Sequence, residues 1–115
     1  MAQYLFSVWH LGAYPTLSEQ EMAAMYAAVG AFNDMLRDAG ALVFACGLED
    51  AASSVVIDGT GAQVTSRPGR IADGPEVLGG FWVIEAPSLA AAHELAAKAS
   101  AACGVPLEIR PLQDV

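Results

Sequence analysis

The sequence predicts an α+β domain in which two helices cover one face of an antiparallel sheet. Three observations favour this class: apolar segments typical of strands, two segments with helical periodicity, and short connections in the order β-α-β-β-(β)-β-α-β. The chain has 115 residues, enough for one domain, 1–115, that buries about two-thirds of its unfolded-chain surface. Short connections between neighbouring elements favour a ferredoxin-like sheet with both helices on the same face.

Composition and charge limit the classes of function. Apolar residues make up 55% of the chain and charged residues 16%, which argues against disorder. The net charge of −8 repels nucleic acid and anionic membranes. No stretch of about twenty apolar residues could span a membrane, and no cationic signal-peptide start precedes the first apolar segment. The expected partners therefore exclude nucleic acid and membrane, and the expected location is cytoplasmic.

The first half begins with a strand predicted over Gln3–Trp9. It is apolar on both sides, which predicts a sheet covered on both faces. A loop over 10–17 leads to Ser18 and Glu21, a capping box that starts a helix over 19–39. The buried stripe of this helix is predicted to be Met22, Met25, Val29, Phe32, Leu36 and Ala39, and Gly40 ends the helix.

The middle of the chain is predicted to be strands and a long loop. A strand over 41–48 follows the first helix. Segments 54–58 and 62–66 form a hairpin around a Gly-containing turn. Segment 67–80 is expected to be a loop, and its length is typical of functional or mobile segments. On the strand over 41–48, the residues expected on one face are Leu42, Phe44, Cys46 and Leu48.

The last part is predicted to be a strand over 81–86, a helix over 89–102 and a strand over 107–110. Pro87 ends the first of these strands, Ser88 caps the helix, and Cys103-Gly104 ends it. Small residues let this helix pack closely on the sheet. Its expected buried stripe is Leu89, Ala92, Leu95, Ala96 and Ala99, and the inward residues of the last strand are Leu107 and Ile109.

The second face of the sheet needs a cover, because the first strand is apolar on both sides. A second copy of the chain that packs sheet against sheet, as a two-fold dimer, is the simplest cover. The cleft between the two sheets is then the expected pocket for a small-molecule ligand.

The order and spacing of six segments are similar to those of a known family: 17–22, 30–32, 38–42, Asp73-Gly74-Pro75, 78–87 and 107–112. Through these segments the chain resembles the YCII-related (DGPF-domain) proteins over nearly its whole length. The resemblance implies a dimeric α+β barrel of ferredoxin-like subunits and no defined activity. It also implies a contextual link to sigma factors of the extracytoplasmic-function type and, from a related branch, a His/Asp pair proposed as catalytic.

Two departures from that family fall in one loop. Glu76 stands where the family usually has Phe after Asp-Gly-Pro. The connection from there to Leu78-Gly79-Gly80 is also shorter than usual, without the polar stretch that the family has there. Both changes affect the loop expected to line the pocket.

His10 and Asp73 are the candidates for acid/base chemistry. A histidine at the end of a strand can act as a general base, and the alternative is a surface or loop-capping imidazole. Asp73 can orient His10 or act itself as acid or base, whereas the structural alternative is an Asp that shapes its own turn. Trp9 either forms a wall of the pocket or fills the core.

Four charged residues are candidates for ligand binding. Arg67 and Arg70 can bind a carboxylate or phosphate, and the alternative is a solvated loop or ion pairs with nearby acids. Glu85 and Arg110 are expected on the open side of the sheet, as a pair in the core or at its rim.

No metal or cofactor is expected, because the chain has no zinc spacing, Gly-rich phosphate loop or nucleophile elbow. Cys46 and Cys103 are expected to be small buried hydrophobes, and the alternatives are a disulfide or a reactive thiol. His93 receives no role. The resulting hypothesis is a homodimer that binds a partly apolar or anionic molecule, with cofactor-free acid/base chemistry. The alternative is a non-catalytic ligand-binding or protein-interaction module linked to sigma-factor regulation.

Overall fold

The computed structural model describes residues 2–11 and 16–114. A short 3-10 helix, Ala51–Ser53, lies between the second and third strands. The strands are β1 (Ala2–Leu11), β2 (Leu42–Gly47), β3 (Val55–Asp58), β4 (Thr65–Pro68), β5 (Glu76–Ala86) and β6 (Leu107–Pro111), and the helices are α1 (Glu19–Asp38) and α2 (Leu89–Cys103).

The main sheet has four strands in the order β2-β5-β1-β6, and every neighbouring pair is antiparallel. Strands β3 and β4 form a separate two-stranded sheet. This is the α+β, ferredoxin-like arrangement predicted from the sequence. The main sheet of the described chain is open, so a single subunit forms no closed barrel.

One face of the main sheet packs against both helices and forms the core. Alternate residues of β1 and β5 point to this face, because side chains along a strand alternate between the two faces of a sheet. Three small residues of α2 allow its backbone to approach the sheet closely. The buried core consists of Tyr4, Phe6, Val8, Phe32, Leu36, Ala41, Trp82, Ile84, Ala86, Ala92, Ala96 and Ala99.

Both helices begin with the capping residues predicted from the sequence. At α1, Glu21 N donates to Ser18 Oγ at 3.1 Å and Ser18 N donates to Glu21 Oε1 at 3.2 Å. At α2, Ala91 N donates to Ser88 Oγ. Gly104, in the left-handed region at φ 75°, is the C-cap of α2, which confirms the stop predicted there.

Strand β1 is longer than predicted. It continues through His10 and Leu11, because both residues pair with β5. The remainder of the expected loop includes residues 12–15, which lie outside the described residues.

Strand β2 does not keep its apolar residues on one face, so that prediction is wrong. The register shifts between Leu42 and Phe44. Leu42 pairs with Ile84 on the helix side, whereas Phe44 pairs with Val83 on the other side. An extra residue at Val43 forms this β-bulge, and a bulge reverses the side on which later residues point. Periodicity alone cannot show such an irregularity.

The prediction of a loop over 67–80 is also wrong at both ends. Its first two residues belong to β4 and its last five to β5. Gly80 lies within the strand, at a position where only glycine fits. A Cβ on Gly80 would lie 2.9 Å from the carbonyl oxygen of Cys46 and 3.1 Å from Gly47 Cα. The Gly-Gly pair therefore permits a close approach of β2 to β5 instead of forming a turn.

The hairpin of β3 and β4 projects from the main sheet. Its second strand begins three residues later and ends two residues later than predicted. In the turn between the two strands, Asp58 Oδ1 accepts hydrogen bonds from Thr60 Oγ1 at 2.6 Å and from Thr60 N at 2.9 Å. Both bonds hold the pKa of the Asp58 carboxyl below its usual range, and the bond from the Thr60 side chain has the larger effect. Ile57 and Val64, 63% and 72% exposed, give the hairpin an apolar surface.

The second face of the main sheet has no cover from the described residues. Its apolar members are only partly buried, and Phe44 is 55% exposed. The molecule is 19 Å thick along its shortest axis, about the depth of one sheet and one helix layer. We call this surface the open face; it comprises Leu5, Trp9, Phe44, Leu78, Phe81 and Val83.

Candidate functional site

A cavity of about 510 Å³ lies between α1 and the helix side of the main sheet. The end of α2 and residue Val105 close one side. Most of its lining is apolar. The apolar residues that line it include Val8, Leu17, Met22, Met25 and Val29, and the polar or thiol residues are His10, Tyr26, Asn33, Cys46 and Cys103.

Small residues on the sheet side leave room for the cavity. Gly79 and Gly80 of β5 and Ala45 of β2 line it, and none of them fills the space below α1. At the other end of α1, Phe32 and Leu36 reach the sheet and are buried. The N-terminal half of the helix stripe therefore faces a cavity instead of the core. This explains why Met22, predicted to be buried, is 37% exposed.

His10 is the one predicted site residue that lines the cavity. It lies near the end of β1, where it pairs with Val77, and it is half-buried. The bulge between Val8 and Trp9 immediately precedes it. Histidine is the side chain that most often serves as a general acid or base in enzymes.

Asp73 lies in the segment just before β5 and is exposed. It is three residues ahead of Glu76, which pairs with Leu11. Asp73 and His10 are therefore near the same end of the sheet, but Asp73 does not line the cavity. Its action on His10 stays a prediction.

The two loop arginines hold their own loop together. Arg70 donates from Nη1 to the carbonyl of Glu76 at 2.8 Å and from Nη2 to the carbonyl of Gly74 at 3.0 Å. Arg67 Nη1 donates to the carbonyl of Arg70 at 3.2 Å. These bonds position the segment that enters β5. Neither guanidinium lines the cavity.

Trp9 is on the open face and not in the cavity. Its Nε1 donates to Ser7 Oγ at 3.0 Å, and that hydroxyl donates to the carbonyl of Glu108. Ser7 is the buried polar residue of the sheet, and these two bonds satisfy it. This arrangement gives Trp9 a structural role between β1 and β6.

Glu85 and Arg110 do not lie on neighbouring strands, since β1 separates β5 from β6. Glu85 accepts a hydrogen bond from Gln3 at 3.2 Å. Arg110 forms an exposed ion pair with Glu108 at 3.2 Å. Each residue thus has a partner of its own on the open side of the sheet.

Asn33 is a cavity residue that sequence reasoning missed. Its Oδ1 accepts a hydrogen bond of 2.7 Å from Trp82 Nε1. The signal was present in the sequence: Asn33 follows Val29 by four residues, so it belongs to the same helix face as the apolar stripe. A polar residue at such a position points to the core or to a site.

The two cysteines are free thiols. Cys46 is exposed, so its predicted burial is wrong. Cys103 is half-buried, and its Sγ contacts the carbonyls of Ser100 and Val105 at 3.8 Å. Burial raises the pKa of the Cys103 thiol above its ordinary value. Cys103 lines the cavity, so its thiol can report on the contents of the cavity.

Among the described residues, no three His, Cys, Asp or Glu side chains are grouped so that they could hold a metal ion. Within the same ranges, neither helix combines the length and the apolar composition that crossing a membrane requires.

A comparison with known protein families identifies the family of the chain. None of the curated proteins matches the chain. The YCII-related domain matches residues 8–112, which include every helix of the structure and all strands but the start of β1. The chain therefore belongs to the YCII-related family.

Proposed function

We propose that the protein binds a small, elongated and largely apolar molecule in the cavity between α1 and the sheet. The observation that carries this proposal is the cavity itself, whose volume of about 510 Å³ falls in the range of small-molecule sites. A mostly apolar lining with a few polar groups is the usual composition of such sites.

A neutral ligand fits this cavity better than an anion. None of the described residues that line it is Lys or Arg, and the whole chain carries a net charge of −8. Arg67 and Arg70, the candidates for an anion site, donate to loop carbonyls instead. The cleft between two subunits, expected from the sequence, remains a second location that requires the dimer.

His10 supplies the chemistry in this proposal. Its imidazole accepts a proton from an acidic O–H or C–H of the bound molecule and can return it to another atom. This is cofactor-free proton transfer. Asp73, near the same end of the sheet, acts as a positioning residue that favours the protonated imidazole.

Occupancy of the cavity is tested by alkylation of Cys103 with iodoacetamide in a Cys46→Ser background. The thiolate is the reactive form, so the raised pKa of Cys103 makes alkylation slow at neutral pH and faster as pH rises. Saturating 6-acetyl-2-naphthol, a long and mostly apolar probe, should slow the reaction by about tenfold or more, since it buries the thiol further.

Matched variants show whether the probe occupies this cavity. Ala45→Phe fills part of the space and should abolish protection of Cys103. Val43→Phe adds a ring at an exposed neighbouring position and should leave protection intact. Unchanged alkylation with saturating probe, or equal protection in both variants, would contradict binding in the cavity.

The proton transfer is tested with the hydroxyl group of the same probe. When the probe is bound beside His10, its naphtholate absorption band should appear at a pH about one unit lower than in free solution, because the imidazolium stabilises the anion. His10→Ala should remove this shift, and Asp73→Asn should reduce it. A shift that persists in His10→Ala would exclude His10 as the proton acceptor.

A second candidate function is protein interaction through the β3–β4 hairpin. Val55, Ile57 and Val64 are exposed on it, and clustered exposed apolar residues often mark interaction sites. The acidic chain would favour a basic partner, such as the sigma factor that the family resemblance suggests. Substituting these three residues by Ser would abolish such an interaction and leave cavity binding unchanged.

The proposed assembly is a two-fold dimer formed by the open face. Its apolar residues lie on three adjacent strands, and residues 2–11 and 16–114 leave this side of the 19 Å thick molecule uncovered. A second copy supplies an identical apolar surface, which is the geometry of a two-fold interface.

A further inference from the structure

We infer that Asn33 selects the ligand by donating a hydrogen bond from its Nδ2 group to a carbonyl oxygen at one end of an elongated apolar molecule. This inference rests on the proposed binding function of the cavity. It adds the chemical class of the ligand, a carbonyl compound, and the residue that recognises it.

Trp82 fixes the direction in which the Asn33 amide points. An indole N–H can only donate, so the atom that it contacts at 2.7 Å must be the oxygen of Asn33. The indole itself is held firmly. Trp82 is buried and meets Phe32 edge to face, with ring centroids 5.6 Å apart and an interplanar angle of 90°. The Nδ2 group must therefore point away from the indole.

The Nδ2 group is available to a ligand. Asn33 is half-buried and lines the cavity. Within residues 2–11 and 16–114, no acceptor pairs with Nδ2, and this atom is not shielded from solvent. An amide donor on an otherwise apolar wall is the kind of polar group that orients a ligand in its site.

The positions of Asn33 and His10 set the expected length of the ligand. Trp82, the partner of Asn33, pairs with Phe6, whereas His10 lies four residues further along β1. At about 3.3 Å per residue, this corresponds to about 13 Å along the strand. The carbonyl end and the group that exchanges a proton with His10 are thus at opposite ends of the molecule.

Two matched probes test the role of Asn33. They are 6-acetyl-2-naphthol and 6-isopropenyl-2-naphthol, which differ only in C=O against C=CH₂. The wild-type protein should bind the ketone roughly two- to tenfold more tightly, the usual effect of one hydrogen bond. Affinity is measured by titration of probe fluorescence.

Asn33→Asp keeps an acceptor for Trp82 and replaces the donor by an acceptor. In this variant the preference for the ketone should disappear or reverse, while Ala31→Asp, with the same charge on the exposed side of α1, should keep it. A double variant, Asn33→Leu with Trp82→Phe, removes both partners and serves as a second test if Asn33→Asp is unstable.

The outcomes separate this inference from the proposed function. If the wild type binds both probes equally, or if Asn33→Asp keeps the preference, the role of Asn33 is refuted while the cavity site stands. If neither probe binds the wild type, the proposed function fails and the inference fails with it.

Discussion

Phe6→Ala should lower the free energy of unfolding by about 3–5 kcal/mol, the usual cost of truncating a buried Phe. Phe6 has 0% exposure and lies at the centre of the sheet, paired with Trp82 of β5 and Ile109 of β6. Such a loss is a large part of the 5–15 kcal/mol typical of a domain. Urea titration monitored by circular dichroism measures it.

The matched control for Phe6 is Ile57 on the projecting hairpin. Ile57→Ala should change the free energy of unfolding by less than about 0.5 kcal/mol, since the side chain is 63% exposed. A loss below about 1 kcal/mol for Phe6→Ala would contradict the position of the core. An equally large loss for Ile57→Ala would show that the hairpin is buried in solution, as expected if it lies in an interface.

Val83→Lys should dissociate the proposed dimer. Val83 is at the centre of the open face, paired with Leu5 on one side and Phe44 on the other. A lysine there would bury an unpaired charge in each subunit of the dimer, at a cost of roughly 3 kcal/mol or more for each one. Static light scattering should give twice 11.9 kDa for the wild type and 11.9 kDa for the variant.

A lysine at a distant position controls for the change in charge. Ala97 is exposed on α2, away from the open face, and Ala97→Lys should leave the dimer intact. A wild-type protein that is monomeric in dilute solution would refute the dimer. A Val83→Lys protein that remains dimeric would place the interface elsewhere, with the hairpin as the next candidate.

Local sequence signals were sufficient to predict most of the architecture. The Ser18–Glu21 capping box, the left-handed Gly104 and the two-sided apolar pattern of β1 each depend on residues close together in the chain. Such signals act within a few residues, so they can be read without knowledge of the sheet. The order of helices and strands followed from them.

The errors arose where structure depends on contacts between distant segments. Gly79 and Gly80 indicate a turn when read alone, but the approach of the Cys46 carbonyl to Gly80 places them inside β5. The bulge at Val43 reflects the register between β2 and β5, which periodicity does not contain. Both features affect the candidate site, because they shape the floor of the cavity.

Of the site residues predicted from the sequence, His10 lines the cavity. The charge or the motif position that marks the other candidates does not show whether a side chain faces a cavity, and Arg70 and Trp9 form hydrogen bonds within the fold. Asn33 was overlooked because an amide inside a helix carries no motif. Its importance depends on Trp82, which is 49 residues away in sequence.

A crystal structure of the protein with 6-acetyl-2-naphthol tests the central claim most directly. The probe should lie between α1 and the main sheet, with its ketone oxygen about 3 Å from Asn33 Nδ2 and its hydroxyl oxygen about 3 Å from a nitrogen of His10. A probe bound on the open face, or a cavity that stays free of it at saturating concentration, would contradict the claim that this cavity is the binding site.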